Sequence, residues 1–547
     1  MNEWIQGAIF GGAIRIAEAT ISSIPTLLIG LGVVAILRYY LGAAGTRKLF
    51  GGDSLRSLPQ SWLVGMLLPV CSIGVLPILI EMQRAKIKVG AMSAFALSAP
   101  LFNPMSLLYG LTLSRPYVIV LFALGSLFVV TVVGAIWDSL AERSSVDSDA
   151  QADASDTSDA VIGMRRLLLV VVYVCRQLCG PVGLWSLIAV SGMVLLSAIL
   201  PFGSLGTAME RDDWWAPARM ALVAVPVYAT PMLAMGQLGM MFQHVNSPGA
   251  AFILLVIGAG MNLGTLAWMA KSFGFRSVGI WFSCLMLIVV SIAYAINRPL
   301  VPVGVQPAGH THAFDGYSNP ILTVDSTTVD FVQRKLAETL QVSAMISLGL
   351  LAWLLLVGAV CRVLGWDEAF FGGNSASLPA KLGDGFQPSE PVAGKPGFDR
   401  NVSPQTVGGT LIAGIIALSI TMCFAFYPSP DECIKEIRYI RSDAISGVMT
   451  AHYADAEFWL PRWDQWSRRM EVGAIIRRGY LTPYQRMQGY LLRSKIDLLE
   501  HEIEEEHPDR ERATQIATEL MLTEQRLIDA YRNPESSVRG QDSTSTL

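Results

Sequence analysis

The sequence predicts an all-α polytopic membrane helix bundle of about ten spans, with an internal duplication, broken helices and a soluble helical C-terminal tail. Three observations carry this expectation. The 547 residues are 52% hydrophobic and only 15% charged, and the mean hydropathy is +0.45. Uncharged apolar stretches of about 20 residues, the length a bilayer core demands, recur along the chain. After Tyr427-Pro428 the composition turns abruptly to alternating charge with helical spacing of apolar residues. A soluble surface needs more charge than this, and a disordered chain could not hold so much Leu, Val, Ile and Phe.

The stretches expected to span are residues 20–37, 61–80, 89–113, 117–137, 181–202, 220–242, 249–269, 277–296, 342–363 and 407–426. They divide the chain into a first permease-like repeat (1–143), an acidic, Ser-rich disordered linker (144–162), a second repeat (163–300), two additional spans with Gly/Pro-rich loops (301–427) and a helical tail (428–547). In the tail, Ile434, Ile437, Ile440, Ile445 and Val448 mark one helical face. Thr482-Pro483-Tyr484-Gln485 has the form of a capping box with Pro at the first helical position, and His507-Pro508-Asp509 ends the helix that it opens. The next stripe, Ile516, Leu520, Leu527 and Tyr531, folds back as an αα-hairpin, expected as a packing or homo-oligomerisation module. No short apolar segment with an A-x-A site opens the chain, so the N-terminus is expected to be retained. Arg84, Lys86 and Lys88 share a face with Arg143, Arg165 and Arg166 if each stretch crosses, with Arg38, Arg47, Lys48 and Arg56 opposite. The first set is then cytoplasmic, with both termini.

The duplication is read from an offset of 159 positions, which lays Gly90-Ala91 on Gly249-Ala250, Asn103 on Asn262 and Cys71 on Thr230. Each half opens with an amphipathic segment, at residues 4–14 and 165–174. Proline and glycine then interrupt apolar runs at related places: Pro69, Gly74 and Pro77, Pro100 and Pro104, and Pro226 and Pro231. Proline removes backbone donors, and freed backbone groups in hydrocarbon must meet protein, water or a solute. Matching breaks in two halves point to a binding site near the membrane midplane.

At this point residues 65–104, GMLLPVCSIGVLPILIEMQRAKIKVGAMSAFALSAPLFNP, resemble the signature of the YraQ-like predicted permeases, a group that includes bacterial organoarsenical efflux permeases. Residues 225–262 resemble the second copy, so the resemblance covers roughly residues 1–300. It implies a permease. The family pattern reads P-x-C-S-C-G and Y-V-C; here Cys71 is retained, while Ile73 and Thr230 stand where the other cysteines would be. Two of the three thiols that the resemblance associates with a thiophilic substrate are therefore absent.

The candidate substrate-binding residues are Cys71, Ser72, Asn103, Tyr228, Thr230 and Asn262. Cys71 is either a ligand or a small packing residue, since soft-metal sites recruit two to four sulfurs. Asn103 and Asn262 are either paired ligands or interhelical pins. Ser72, Tyr228 and Thr230 offer hydroxyls, although Ser and Thr also bond back to their own helix. Met232, Met235, Met240, Met241 and Met261 read as core filler rather than copper ligands. Cys175 and Cys179 share a helical face without a partner in sequence, and His310 and His312 are metal candidates in a Gly-rich loop. Arg15–Glu18 and Glu81–Arg84 are expected as local ion pairs.

A formal charge of −4 leaves no basic footprint for nucleic acid. No cofactor is implied, and no Walker A motif is present for ATP hydrolysis. The expected function is a multi-pass inner-membrane permease moving a small molecule or ion, with the lipid bilayer as its other partner and efflux as the direction the resemblance implies. The alternatives are an intramembrane thiol- or metal-dependent enzyme and a membrane-anchored sensor or scaffold acting through the tail.

Overall fold

A computed structural model describes residues 2–52, 54, 56–113, 117–144, 164–200, 204–205, 209–297, 313–321, 328–340, 342–366, 403–505 and 507–532. The expected linker beyond Ser144, and the pair His310 and His312, lie outside the described residues. Regular structure among the described residues is helical, apart from an isolated bridge between Glu210 and Asn246.

Helix α1 (Asn2–Ile36) tolerates Pro25 and continues through a π turn, Leu37–Leu41, into α2 (Gly42–Leu49). The expected separate amphipathic segment is therefore fused to the first span. In the second half the two stay apart as α8 (Met164–Leu178) and α9 (Pro181–Ile199), because Gly180-Pro181 interrupts the helix.

Six helical stretches are long and apolar enough to cross a bilayer: Ile5–Leu49, Tyr117–Leu140, Pro181–Ile199, Phe275–Asn297, Ala344–Val363 and Gln405–Phe426. A seventh is the bent pair Pro248–Ala259 and Leu263–Phe273, which meet at 59°. Outward faces stay apolar, as at Leu195 and Leu287, which are 57% and 70% exposed. Lipid is the natural solvent for such faces.

The remaining uncharged stretches are broken into short helices. Residues 61–80 form α3 (Ser57–Leu67) and α4 (Val75–Arg84). Residues 89–113 form α5 (Val89–Ser98) and α6 (Pro104–Gly110), followed by the continuous α7 (Tyr117–Ser144). Residues 220–242 form α10 (Ala216–Ala224) and α11 (Pro231–Gln243). Residues 249–269 form α12 (Pro248–Ile253), a π segment Leu254–Ala259 and α13 (Leu263–Phe273), which leads to α14 (Phe275–Asn297).

Two of these pairs fold back instead of crossing. Gln60, early in α3, donates its amide to the Leu49 carbonyl at 2.8 Å. Glu81, near the end of α4, pairs with Arg38 at 3.4 Å, and both contacts fall on the stretch that continues α1, Arg38 in its π turn and Leu49 at the end of α2. Arg38, Arg47 and Lys48 therefore share a face with Arg84, Lys86 and Lys88. This corrects the opposite placement expected from counting residues 61–80 as a crossing. From the other face, α10 begins beside Trp214, whose ring stacks on Tyr294 near the end of α14 at 4.9 Å. Helix α11 returns there, since the Ser247 amide just beyond it donates to the Met209 carbonyl at 3.0 Å.

Glycine lets these hairpins lie against the continuous helices. A Cβ on Gly30 of α1 would strike the Gly74 carbonyl, and one on Gly192 of α9 would strike the Pro226 carbonyl. Small residues permit such backbone approach in membranes, where packing rather than hydrophobicity drives association.

The later chain adds α15 (Thr328–Thr339), α16 (Val342–Val363) and α17 (Pro404–Phe426). Gly358 packs α16 on Cys175, and Gly408 packs α17 on Leu41. Four polar-surfaced helices follow: α18 (Pro430–Met449), α19 (Tyr453–Arg478), α20 (Pro483–Glu504) and α21 (Arg510–Arg532). The Thr482–Gln485 capping box forms as expected, and a second box joins Ser429 and Glu432. Ile434, Ile437, Trp463, Leu492, Ile496 and Leu520 build a separate core for this tail.

Candidate functional site

The four breaks meet. The first, between α3 and α4, opens after Leu68, whose backbone is extended (ψ 127°). Pro69 lies within it and Gly74 adjoins α4, while Pro77 falls inside the first turn of α4. Cys71 is fully buried in this break. Its sulfur accepts from the Thr26 hydroxyl of α1 at 2.9 Å and from the Gly74 amide at 3.5 Å.

The third break, between α10 and α11, contains Pro226 and Tyr228. The Tyr228 amide donates to Met193 Sδ at 3.3 Å. Its hydroxyl faces Cys71 and Ser23, yet no hydrogen bond of normal geometry satisfies it. Thr230 is spent on structure: its hydroxyl oxygen accepts from the Leu233 amide at 3.3 Å and caps α11, with Pro231 at the first position.

The second and fourth breaks each end in an asparagine cap. Asn103 is extended, and its Oδ1 accepts from the Ser106 amide at 2.7 Å, with Ser106 Oγ accepting from the Asn103 amide at 3.0 Å. Pro100 sits within this break, and Pro104 opens α6. Asn262 is also extended, and its Oδ1 accepts from both the Thr265 amide at 2.8 Å and the Thr265 hydroxyl at 3.2 Å. Each asparagine thus caps its own helix, and no hydrogen bond pins one to the other. Leu101 and Gly260 bring these two breaks into contact, because a Cβ on Gly260 would strike both Leu101 and the Leu97 carbonyl.

Thr265 ties the fourth break to the first, since its hydroxyl also lies 3.4 Å from the Ser72 carbonyl. Cys71, Ser72, Tyr228 and Asn262 are thereby brought together, each no more than 1% exposed. Asn103 and Thr230 cap the neighbouring half-helices. Three buried polar atoms here lack partners: Ser72 Oγ, Tyr228 Oη and Asn262 Nδ2. An unsatisfied buried polar group costs about 1–3 kcal/mol, so three in one cluster call for an explanation beyond packing.

Ser23, Thr26, Met193 and Thr265 are participants that the sequence did not single out. The spacing of Ser23 and Thr26 along one apolar span was the available signal, but such residues usually bond back to their own helix. Both also do so here, to the Thr20 and Ser23 carbonyls.

Two cavities flank the cluster. One of about 810 Å³ lies among α1, α9 and α16, reaching Ser23 and Ile73, with Lys271 and Arg362 as its charged residues. The other, about 570 Å³, lies between the membrane helices and the tail, lined by Arg15, Glu18, His244, Asp315, Asp497 and Glu504 among others. Arg15 holds Glu18 at 2.7 Å as expected, and it also donates to the Ser318 and Asp315 carbonyls.

The metal candidates His310 and His312 lie outside the described residues; among those described, no group of three or more His, Cys, Asp or Glu could hold an ion. Cys361 of α16 comes beside Cys175 and Cys179 without forming such a set. Met235, Met241 and Met261 are buried filler, and Met240 faces outward.

Apolar spans broken where they meet, around polar groups left unsatisfied, belong to the class of polytopic membrane transporters. The family is specific: residues 10–298, just over half of the chain, match ArsP_1, described as a predicted permease, and the chain belongs to that family. No curated protein and no solved structure matches the chain.

Proposed function

We propose that the chain carries a small solute across the inner membrane, in the direction of export, by alternating access of two duplicated halves around Cys71, Ser72, Tyr228 and Asn262. The observation that carries this is the convergence of four helix breaks on three unpartnered buried polar atoms. A scaffold gains nothing from such atoms, whereas a carrier uses them to replace the hydration of its cargo.

The duplication draws support from the same places. Asn103 and Asn262, 159 positions apart, cap half-helices through Ser106 and Thr265, which are also 159 apart. The hairpins α3–α4 and α10–α11, offset alike, enter from opposite faces. That is the pattern of an inverted repeat, in which rocking of one half against the other exposes a fixed site alternately. On this view the broken pairs count with the continuous spans, giving about ten membrane-embedded segments. Asn103 and Thr230 hold the half-helices in position beside the site.

The test is solute efflux from cells and from proteoliposomes holding the intact chain, across arsenicals, sulfur compounds, organic anions and metal ions. Wild-type protein should move at least one solute, and Asn262→Ala should abolish that movement. If no solute moves, or if Asn262→Ala moves it undiminished, the carrier reading fails.

A further inference from the structure

We propose that the cluster of Ser72, Tyr228 and Asn262 is a binding site for a small monovalent anion. The inference rests on the carrier reading above and names the chemical class of its cargo.

The unpartnered atoms decide the sign. Asn262 Oδ1 is occupied by two donors from Thr265, which fixes the amide so that only Nδ2 remains, and Nδ2 can only donate. Ser72 Oγ and Tyr228 Oη are hydroxyls with a proton to offer, and both are buried and unpaired. Cys71 accepts from the Gly74 amide and lies 2.9 Å from the Thr26 hydroxyl, whose single proton is shared with the Ser23 carbonyl. Among side chains, the unpartnered atoms of the cluster are therefore one amide donor and two hydroxyls, each able to donate.

No Asp or Glu occurs in any of the four breaks, at residues 68–74, 99–103, 225–230 and 260–262. A dehydrated cation there would lack a counter-charge, at a cost that grows steeply in a low-dielectric surround. The positive ends of α11, of 13 residues, and α13, of 11 residues, begin beside the cluster, where α3, α10 and the π segment also end. The breaks also hold no Lys, Arg or His. This suits a single negative charge, which three neutral donors and helix ends can solvate, better than a multiply charged one.

The approach has the matching sign. The cavity of about 810 Å³ touches Ser23, which faces the Tyr228 hydroxyl, and Ile73, which follows Ser72. Lys271 and Arg362 line it and no carboxylate does. Lys271 is held over the Trp185 ring at 5.6 Å. Fixed charge of this kind raises the local concentration of an oppositely charged solute.

The experiment measures uptake into proteoliposomes containing the intact chain, using labelled chloride, formate and bicarbonate beside rubidium and glycerol. The variants are Asn262→Asp, which keeps a cap-competent side chain while exchanging the free donor for a negative acceptor, and Tyr228→Phe, which only removes an unpaired hydroxyl. Wild-type protein should carry at least one of the anions, and each variant should lower that uptake tenfold or more. Wild-type movement of rubidium or glycerol without any anion overturns the proposal and leaves the carrier reading standing. Unchanged anion uptake in Tyr228→Phe overturns it as well. Movement of none of the probes overturns the anion assignment, and the carrier reading then answers to its own broader panel.

Discussion

Tyr228 illustrates the conflict between folding and function at a single residue. Its hydroxyl is buried without a partner, so Tyr228→Phe removes a desolvation cost of about 1 kcal/mol or more. The variant is expected to melt at a higher temperature in detergent while transport falls. A lower melting temperature would mean that the hydroxyl stabilises the fold, and its role as a solute ligand would lose its support. Ser72→Ala should move in the same direction by a smaller amount. Polar residues of this kind were legible in part. Asn262 stood out because an amide in a membrane helix must be paired. Ser23 and Thr26 did not, because a hydroxyl that back-bonds to its own helix looks the same in sequence whether or not it also reaches a neighbouring thiol.

At the scale of elements, the prolines revealed the breaks but not the direction the chain takes after them. Pro69, Pro100, Pro226 and the cap-following Pro104 and Pro231 all fall at or beside breaks. Yet an uncharged run of about 20 residues has the same hydropathy whether it crosses or turns back. The hairpins depend on glycine contacts made with distant helices, which one-dimensional pattern does not report. Gly192 is the sharper case, because its hydrogen faces the Pro226 carbonyl. Gly192→Leu should destabilise the packed bundle by about 3 kcal/mol through overpacking, seen as a shifted thermal transition or loss of monodisperse protein. An unaffected variant would show that α9 and the α10–α11 break are not in close contact.

The tail helices carry their own pH dependence. Glu471 and Glu524 are buried at 2% and 1% exposure, and burial pushes both carboxyls above their ordinary value of 4.5 although Arg493 and Arg441 face them. A raised carboxyl favours its protonated form in the folded state. The associated stability is therefore full below about pH 4.5, the unfolded value, and is lost as pH rises through the higher folded values. Amide exchange in α19 and α20 should speed up over that rise, after correction for intrinsic rates, and Glu471→Gln should flatten the response. A response that is already flat in the wild type would contradict the assignment.

For the molecule as a whole, the tail is joined to the membrane helices by specific polar contacts. His244 Nε2 lies 2.8 Å from Asp497, Arg468 donates to Gln243 at 3.1 Å, and the Gln243 side-chain amide donates to the Arg493 carbonyl at 3.2 Å. None of these pairings could be read from sequence, because the partners are separated by more than 200 residues. Three of the tail helices were nonetheless legible, α18 and α21 in their apolar stripes and α20 in its capping box, whereas α19 was not. The fold-back of α3–α4 gathers Arg38, Arg47, Lys48, Arg84, Lys86 and Lys88 on the face opposite the tail. The positive-inside rule then predicts that face in the cytoplasm and the tail outside, the reverse of the cytoplasmic C-terminus expected from ten crossings. A membrane-impermeant thiol reagent should label a cysteine introduced at exposed Leu498 in intact spheroplasts, and labelling only after lysis would reverse the assignment.

The two flanking cavities differ in sign. Lys271 and Arg362 line one, while Glu18, Asp315, Asp497 and Glu504 give the other a carboxylate excess. Such built-in polarity cannot drive net flow when concentrations and voltage are balanced, because a static field performs no work over a closed cycle. It does let a negatively charged cargo dock more readily at one mouth than at the other. Half-saturation should therefore differ between right-side-out and inverted vesicles, and added salt should shrink that difference by screening both mouths.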